Sequence, residues 1–355
     1  MRETGEARIG VVALGTVEEP GTVRAVAGGR LYVRTGNRAQ VHDREPYLAG
    51  VREPVGSCEL PSGARAEPAP DGGFVVAEAE RVRALADDGT VRWELGHDTW
   101  HGGHRPPRAP GAPAADPRGR FVAAAVPTPL PADEVARRAV PVHDGPPRRG
   151  YGRDRLLLLD AATGDVLDEQ PVAAVSGALA LEWREDGGLL GASFWTAWYG
   201  WASHWAEASR RGLRTVGGGP DRHGLAGFVP RTSRLVTFRR AEHMSLDDDR
   251  YELALHEAAA ARPTAVLDLN DLSWDPENDD FEQVHPLDEA HLLVTGVHVP
   301  RHGPLGPAHW LLAADSLRPL GRLRYPRPVG DVVTAFGDGT WLTREGGRLH
   351  HWGLT

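Results

Sequence analysis

In RLLLLDAATGDVLDEQPV, residues 155–172, a run of four leucines ends at Asp160. A tight Ala-Ala-Thr-Gly turn follows, and a second extended run goes from Asp165 to Val172. Apolar runs of this length on either side of a Gly-bearing turn read as two antiparallel strands. We read them as the outer pair of one four-stranded sheet.

The rest of the chain repeats the unit. A short alternating strand, a polar turn and an apolar strand recur as AEPAPDGGFVV at 66, AADPRGRFVAA at 114 and LEWREDGGLLG at 181, then as GFVPRTSRLVTF at 227, VHPLDEAHLLV at 284 and VTAFGDGTWLT at 333. VRAVAGGRLYV at 23 is a degenerate first copy. The apolar strands open at Leu31, Phe74, Phe121, Leu189, Leu235, Leu292 and Trp341, mostly 43 to 57 residues apart, with one step of 68 that contains an insertion. That period is the period of a propeller blade. The expected fold is all-β: one seven-bladed β-propeller domain over residues 1–355. The last copy is one strand short, and residues 1–15 hold a spare strand from Arg8 to Leu14. Pairing first with last would leave neither edge open, so this strand is expected to close the last blade.

The Asp160–Gly164 turn and the DDGTVRW run, Asp87 to Trp93, resemble the outer-strand repeats of WD-repeat and quinoprotein-like propellers. The resemblance implies architecture. It does not imply a quinone, because nothing else in the sequence points to a redox site.

Composition narrows the function. Net charge is −9 with a pI near 6.0, and all 40 basic residues are Arg. A nucleic-acid binder needs a basic stripe, so none is expected as a partner. No window approaches the length of an apolar membrane span, and the start of the chain has neither the basic nor the long apolar region of a signal peptide. A cytoplasmic location with no membrane partner is expected. Cys58 is the single cysteine, so no intrachain disulfide forms.

The long segments are not spread evenly. Residues 97–113, the Pro-rich insertion 127–153, and residues 195–201, 241–250, 271–280 and 298–308 all join the second strand to the third or one blade to the next. Connections of those two kinds share one face, so the decorated face is the expected binding face. Its candidate binding residues are Trp100, Arg148, Arg149, Tyr151, Trp195, Trp198, Tyr199, Trp201 and Trp274. Aromatic and Arg side chains anchor interfaces well. The same Trp cluster, with Trp205, also suits packing between blades or one buried helical turn, leaving one or two rings exposed. Arg153 extends the basic patch, and residues 132–139 suit a short helix.

His97, His101 and His104 fall within eight residues, a spacing neutral imidazoles use to hold a divalent metal. No Cys or carboxylate completes an obvious set, with only Asp98 near, and a flexible polar loop is the favoured reading. Asp247, Asp248 and Asp249, with Asp275, Glu277, Asp279 and Asp280, suit a calcium site or a solvated acidic rim. No nucleophile elbow, P-loop, dinucleotide fingerprint or zinc-protease motif is present. The expected function is a non-catalytic scaffold that binds a protein partner, with no cofactor. The alternatives are a metal-dependent hydrolase or lyase at the central channel, and a propeller that binds sugar or another small ligand.

Overall fold

The computed structural model describes residues 8–99, 110–128, 154–172, 179–195, 201–239, 251–272, 279–298 and 306–355. Twenty-eight strands lie among them. β1 (Arg8–Glu18) comes first. The next four, β2 (Thr22–Val26), β3 (Arg30–Thr35), β4 (Arg38–Asp43) and β5 (Gly56–Glu59), form a sheet in chain order, with helix α1 (Arg44–Leu48) between β4 and β5. So do β6 (Arg65–Pro68), β7 (Phe74–Ala77), β8 (Arg81–Leu85) and β9 (Val91–Gly96). The third sheet is β10 (Ala112–Ala115), β11 (Phe121–Val126), β12 (Asp154–Asp160) and β13 (Val166–Val172). The fourth is β14 (Leu179–Trp183), β15 (Leu189–Trp195), β16 (Trp201–Ser209) and β17 (Gly212–Gly218). The fifth is β18 (Gly224–Phe228), β19 (Arg234–Arg239), β20 (Glu252–Glu257) and β21 (Ala265–Asp268).

The last sheet has eight strands. β22 (Asp279–Pro286), β23 (His291–His298), β24 (Gly306–Ala313) and β25 (Pro319–Arg324) run in order to β1. Beyond β1 come β28 (Arg348–Leu354), β27 (Thr340–Glu345) and β26 (Asp331–Ala335). It is two four-stranded runs joined edge to edge through the first strand of the chain. No helix among the described residues is long and apolar enough to cross a membrane.

The chain divides into two compact units. One comprises residues 1–25, 44–52 and 223–355, the other residues 26–43 and 53–222. In the second unit the two stretches that carry the propeller resemblance meet. Trp93, on β9, donates its indole N–H to the Ala161 carbonyl in the Asp160–Gly164 turn at 2.9 Å. Asp160 shapes that turn by accepting the amide N–H of Ala162 at 2.9 Å. Gly164 has φ +78°, and a Cβ there would lie 2.7 Å from the Trp93 ring. The turn therefore needs glycine for its backbone and for the ring it packs against. Trp183 makes a similar tie, donating to the Ala114 carbonyl at 3.2 Å.

In the first unit β1 changes partner along its length. Arg8 to Gly10 pair parallel with Arg322 to Arg324 of β25, and Val11 to Glu18 pair antiparallel with Leu354 to Arg348 of β28. Tyr325 follows β25 and holds aromatic neighbours on both sides. It meets the Trp352 ring edge-on at 5.0 Å and accepts the Trp341 indole N–H at 3.1 Å. The same hydroxyl is hydrogen-bonded to His309 Nδ1 at 2.7 Å.

The sequence reading leaves α1 out. It packs Tyr47 into the same unit, 1% exposed, with its hydroxyl donating to the buried Glu19 carboxylate. The Gly21 amide donates to that carboxylate at 2.6 Å, and Arg344 donates to the Glu19 carbonyl at 2.5 Å. Arg52 stands 3.4 Å from the same carboxylate, so the turn leaving β1 is held by an ionic and hydrogen-bonded clasp.

Gly164→Ala should lower stability by about 2 kcal/mol or more, from positive-φ strain plus overpacking against Trp93. Chemical denaturation checks this. A midpoint unchanged from the parent protein would show that the turn and the ring do not pack as described.

Candidate functional site

Trp195 and Trp201 end β15 and begin β16, and they are directly paired across the two strands. The alternation of a strand puts Trp201, Ser203 and Trp205 on one face of β16. Trp205 is fully buried, its indole packed over Gly217, whereas Trp201 is 37% exposed. Trp195 is half-buried. The stretch from Trp201 to Trp205 is a strand, which replaces the helical-turn alternative. One face thus runs from a core anchor at Trp205 to an indole in solvent at Trp201. On the opposite face the Phe194 and His204 rings pack at 5.3 Å. A partly exposed indole has only two side-chain torsions to order when it meets a ligand.

Trp100, Arg148, Arg149, Tyr151, Trp198, Tyr199 and Trp274 lie outside the described residues, as do Arg153, the 132–139 helix and the acidic residues 247–249, 275 and 277. Asp279 and Asp280 open β22. His101 and His104 are also outside. His97 is described, and its Nδ1–H donates to the Asp98 carbonyl at 2.8 Å. That bond fixes the tautomer and leaves Nε2 with its lone pair, buried and with no partner among the described residues. Burial holds this ring below the ordinary histidine range. A neutral imidazole anchored through its other nitrogen is the form that binds a metal. Among the described residues no three His, Cys, Asp or Glu side chains stand close enough together to hold one. Cys58 is buried, and burial, with the Glu59 charge, pushes its thiol up to about 11, so it stays protonated at neutral pH.

A polar relay that the sequence reading missed crosses the fifth sheet. His223 Nε2 stands 3.2 Å from Glu252 Oε1, which can only accept. Nε2 therefore carries the proton, and Nδ1 accepts from the Thr237 hydroxyl at 3.1 Å. Thr237 Oγ1 in turn accepts from His256 Nε2–H at 3.0 Å. Every proton in the series His256, Thr237, His223, Glu252 has one direction. Burial presses His223 down to about 4, helped by the Arg239 charge, and burial alone does the same to His256. Carboxylate, imidazole and hydroxyl stand here in the order that nucleophilic catalysis uses. Thr237 is fully buried, however, and His223 and His256 are each 1% exposed, so no substrate reaches the hydroxyl. The relay is a structural tie.

One part of the arrangement recurs in another sheet. Thr237 is the fourth residue of β19 and Thr343 the fourth of β27. Thr343 accepts the Trp352 indole N–H at 2.8 Å, the role His256 fills for Thr237. Both donors lie two residues beyond the threonine's cross-strand partner, Ala254 or His350.

Comparison with known proteins places the fold. No protein-family model and no curated protein matches the chain. BamB from Moraxella catarrhalis is similar in structure, with a TM-score of 0.54 at 10% identity over 96% of this chain and 91% of that one. The acylaminoacyl peptidase of Pyrococcus horikoshii gives 0.53 at 10% identity, over 96% of this chain and 51% of that one, so the likeness takes in about half of the peptidase. The β-propeller domain of the Trilobed protease from Pyrococcus furiosus gives 0.49 at 10% identity, over 96% and 94%. The chain is an all-β protein of the β-propeller kind, built from four-stranded sheets.

Acid should weaken the relay in a set window. His223 and His256 ionise near 6.5 in the unfolded chain and near 4 in the folded one, so the unfolded chain takes up protons first as pH falls. The stability they contribute is fully present above pH 6.5 and drains away between there and pH 4. Thermal melts across pH 4 to 8 should show a plateau above about 6.5 and a steep fall below it. A melting temperature that stays level down to pH 4 would contradict the assignment.

Proposed function

We propose that this chain is a scaffold that binds a protein partner where the second and third strands of its sheets connect, with Trp201 as an anchor. The observation that carries the reading is the Trp195 and Trp201 pair at the end of β15 and β16, with Trp201 partly exposed on a strand whose Trp205 is buried. A rigid sheet presents the ring, so binding does not have to order it first. Trp is the side chain most often found at the centre of such interfaces. The long segments at 127–153, 241–250 and 298–308 leave their sheets at the same kind of connection, and with them would come Arg148, Arg149 and Tyr151. The net charge of −9 favours a partner with basic character. We place the scaffold in the cytoplasm and assign it no cofactor.

Trp201→Ala should remove a central anchor while leaving Trp205 and the fold in place. Loss of about 2 kcal/mol, or roughly thirtyfold in affinity, is the expected scale. Quantitative recovery of partners from the native cell, comparing the parent protein with Trp201→Ala and with the 127–153 segment deleted, checks it. The variants should lose the same proteins. Equal recovery by all three would refute this face as the binding site.

A further inference from the structure

A second relay of the same three groups lies in the first unit, and this one is open. Thr16 on β1 is directly opposite His350 on β28. Thr16 is exposed, and its Oγ1 lies 3.1 Å from His350 Nδ1. An Arg327 guanidinium N–H donates to the same oxygen at 3.1 Å. With the ring proton on Nε2, the bare Nδ1 accepts the Thr16 hydroxyl proton while the oxygen accepts from Arg327. On the far side of the ring, His350 Nε2 stands 3.6 Å from Glu345 Oε2, where the carboxylate favours a proton on Nε2. Hydroxyl, imidazole and carboxylate follow one another, with a cation beside the hydroxyl oxygen. Burial, and then the Arg327 charge, keep His350 below the ordinary histidine range, so the ring is an unprotonated base at neutral pH.

The surroundings differ from those of Thr237. Arg327, His350 and Glu345 line an open groove of about 730 Å³, together with Glu18, Pro20 and Arg348. The groove reaches the imidazole of His350, the cross-strand neighbour of the exposed Thr16. The position in the sheet differs too: Thr237 belongs to a second strand, whereas Thr16 belongs to the strand shared between two four-stranded runs. The open relay is therefore not the buried tie repeated in another sheet.

We propose that Thr16 is an activated nucleophile for acyl transfer from small esters, with His350 as general base, Glu345 orienting the ring and Arg327 stabilising the charge that develops on oxygen. This adds a reactive site to the scaffold reading and is independent of the Trp201 face. The hydroxyl oxygen forms a bond to the ester carbonyl carbon while its proton passes to His350 Nδ1. The bond from that carbon to the alkoxy oxygen breaks, and Nδ1 returns the proton to the departing oxygen. Water then attacks the acyl-threonine with the same base, releasing the carboxylic acid and restoring the Thr16 hydroxyl.

Incubation of the full chain with p-nitrophenyl acetate tests this, read by nitrophenolate release and by mass spectrometry of the peptide that contains Thr16. An acetyl group on Thr16 is expected, slowed on the order of a hundredfold in His350→Gln, abolished in Thr16→Val and retained in Thr16→Ser. Thermal melts of each variant show whether it is folded. Folded Thr16→Val with undiminished nitrophenolate release, or a parent protein with no adduct on Thr16, would overturn the proposal and leave the relay as a tie between β1 and β28. Should Thr16→Val unfold, Arg327→Gln is the deciding variant: adduct formation slower than in the parent supports the site, and an equal rate rejects it.

Discussion

The first strand depends on partners at the other end of the sequence. Every N–H and C=O of an extended segment needs a partner, and an unpaired edge invites pairing with another chain. β1 meets that need with two strands. Its first three residues extend the edge of β25, and the next eight run against β28, with one irregularity between Ala13 and Gly15. Val11 and Val17 turn inward, while Val12 and Leu14 stay exposed. The strand is thus held more by its backbone than by apolar burial. The clasp of Glu19, Tyr47, Arg52 and Arg344 holds the turn that follows, so the strand cannot slip without breaking buried polar bonds.

Much of this architecture was legible in the sequence, because it is written in short-range patterns. Leu31, Phe74, Phe121, Leu189, Leu235, Leu292 and Trp341, read as the openings of apolar strands, all fall at the first or second residue of the second strand of a four-stranded run. Gly-bearing turns and period-two alternation are local, and they announce themselves. The strand from Arg8 was expected to pair with the last copy because that copy lacked one. It does so, and runs on to Glu18. Its parallel pairing with β25 had no sequence signal.

The polar relays were not legible, for a physical reason. Thr16 and His350 are 334 residues apart and meet through strand register alone, which no spacing in the chain encodes. His223, Thr237 and His256 are nearer in sequence, but a reading that sought metal spacing among histidines passed over a threonine between two of them. The recurring clue was a threonine at the fourth place of a second strand, directly after two buried apolar residues, as in RLVTFR and TWLTRE. A hydroxyl in so apolar a place has to be satisfied, and its partner is an imidazole in one sheet and an indole in the other.

The account rests on β1 being an integral member of the C-terminal sheet, and native-state hydrogen exchange tests that most directly. The amides of β1 that bond to β28 should exchange as slowly as those of Leu349 to Trp352, and the two sets should be released together on global unfolding. Exchange of the β1 amides at the rate of a frayed terminus, with β28 still protected, would show that the first strand is not part of the sheet.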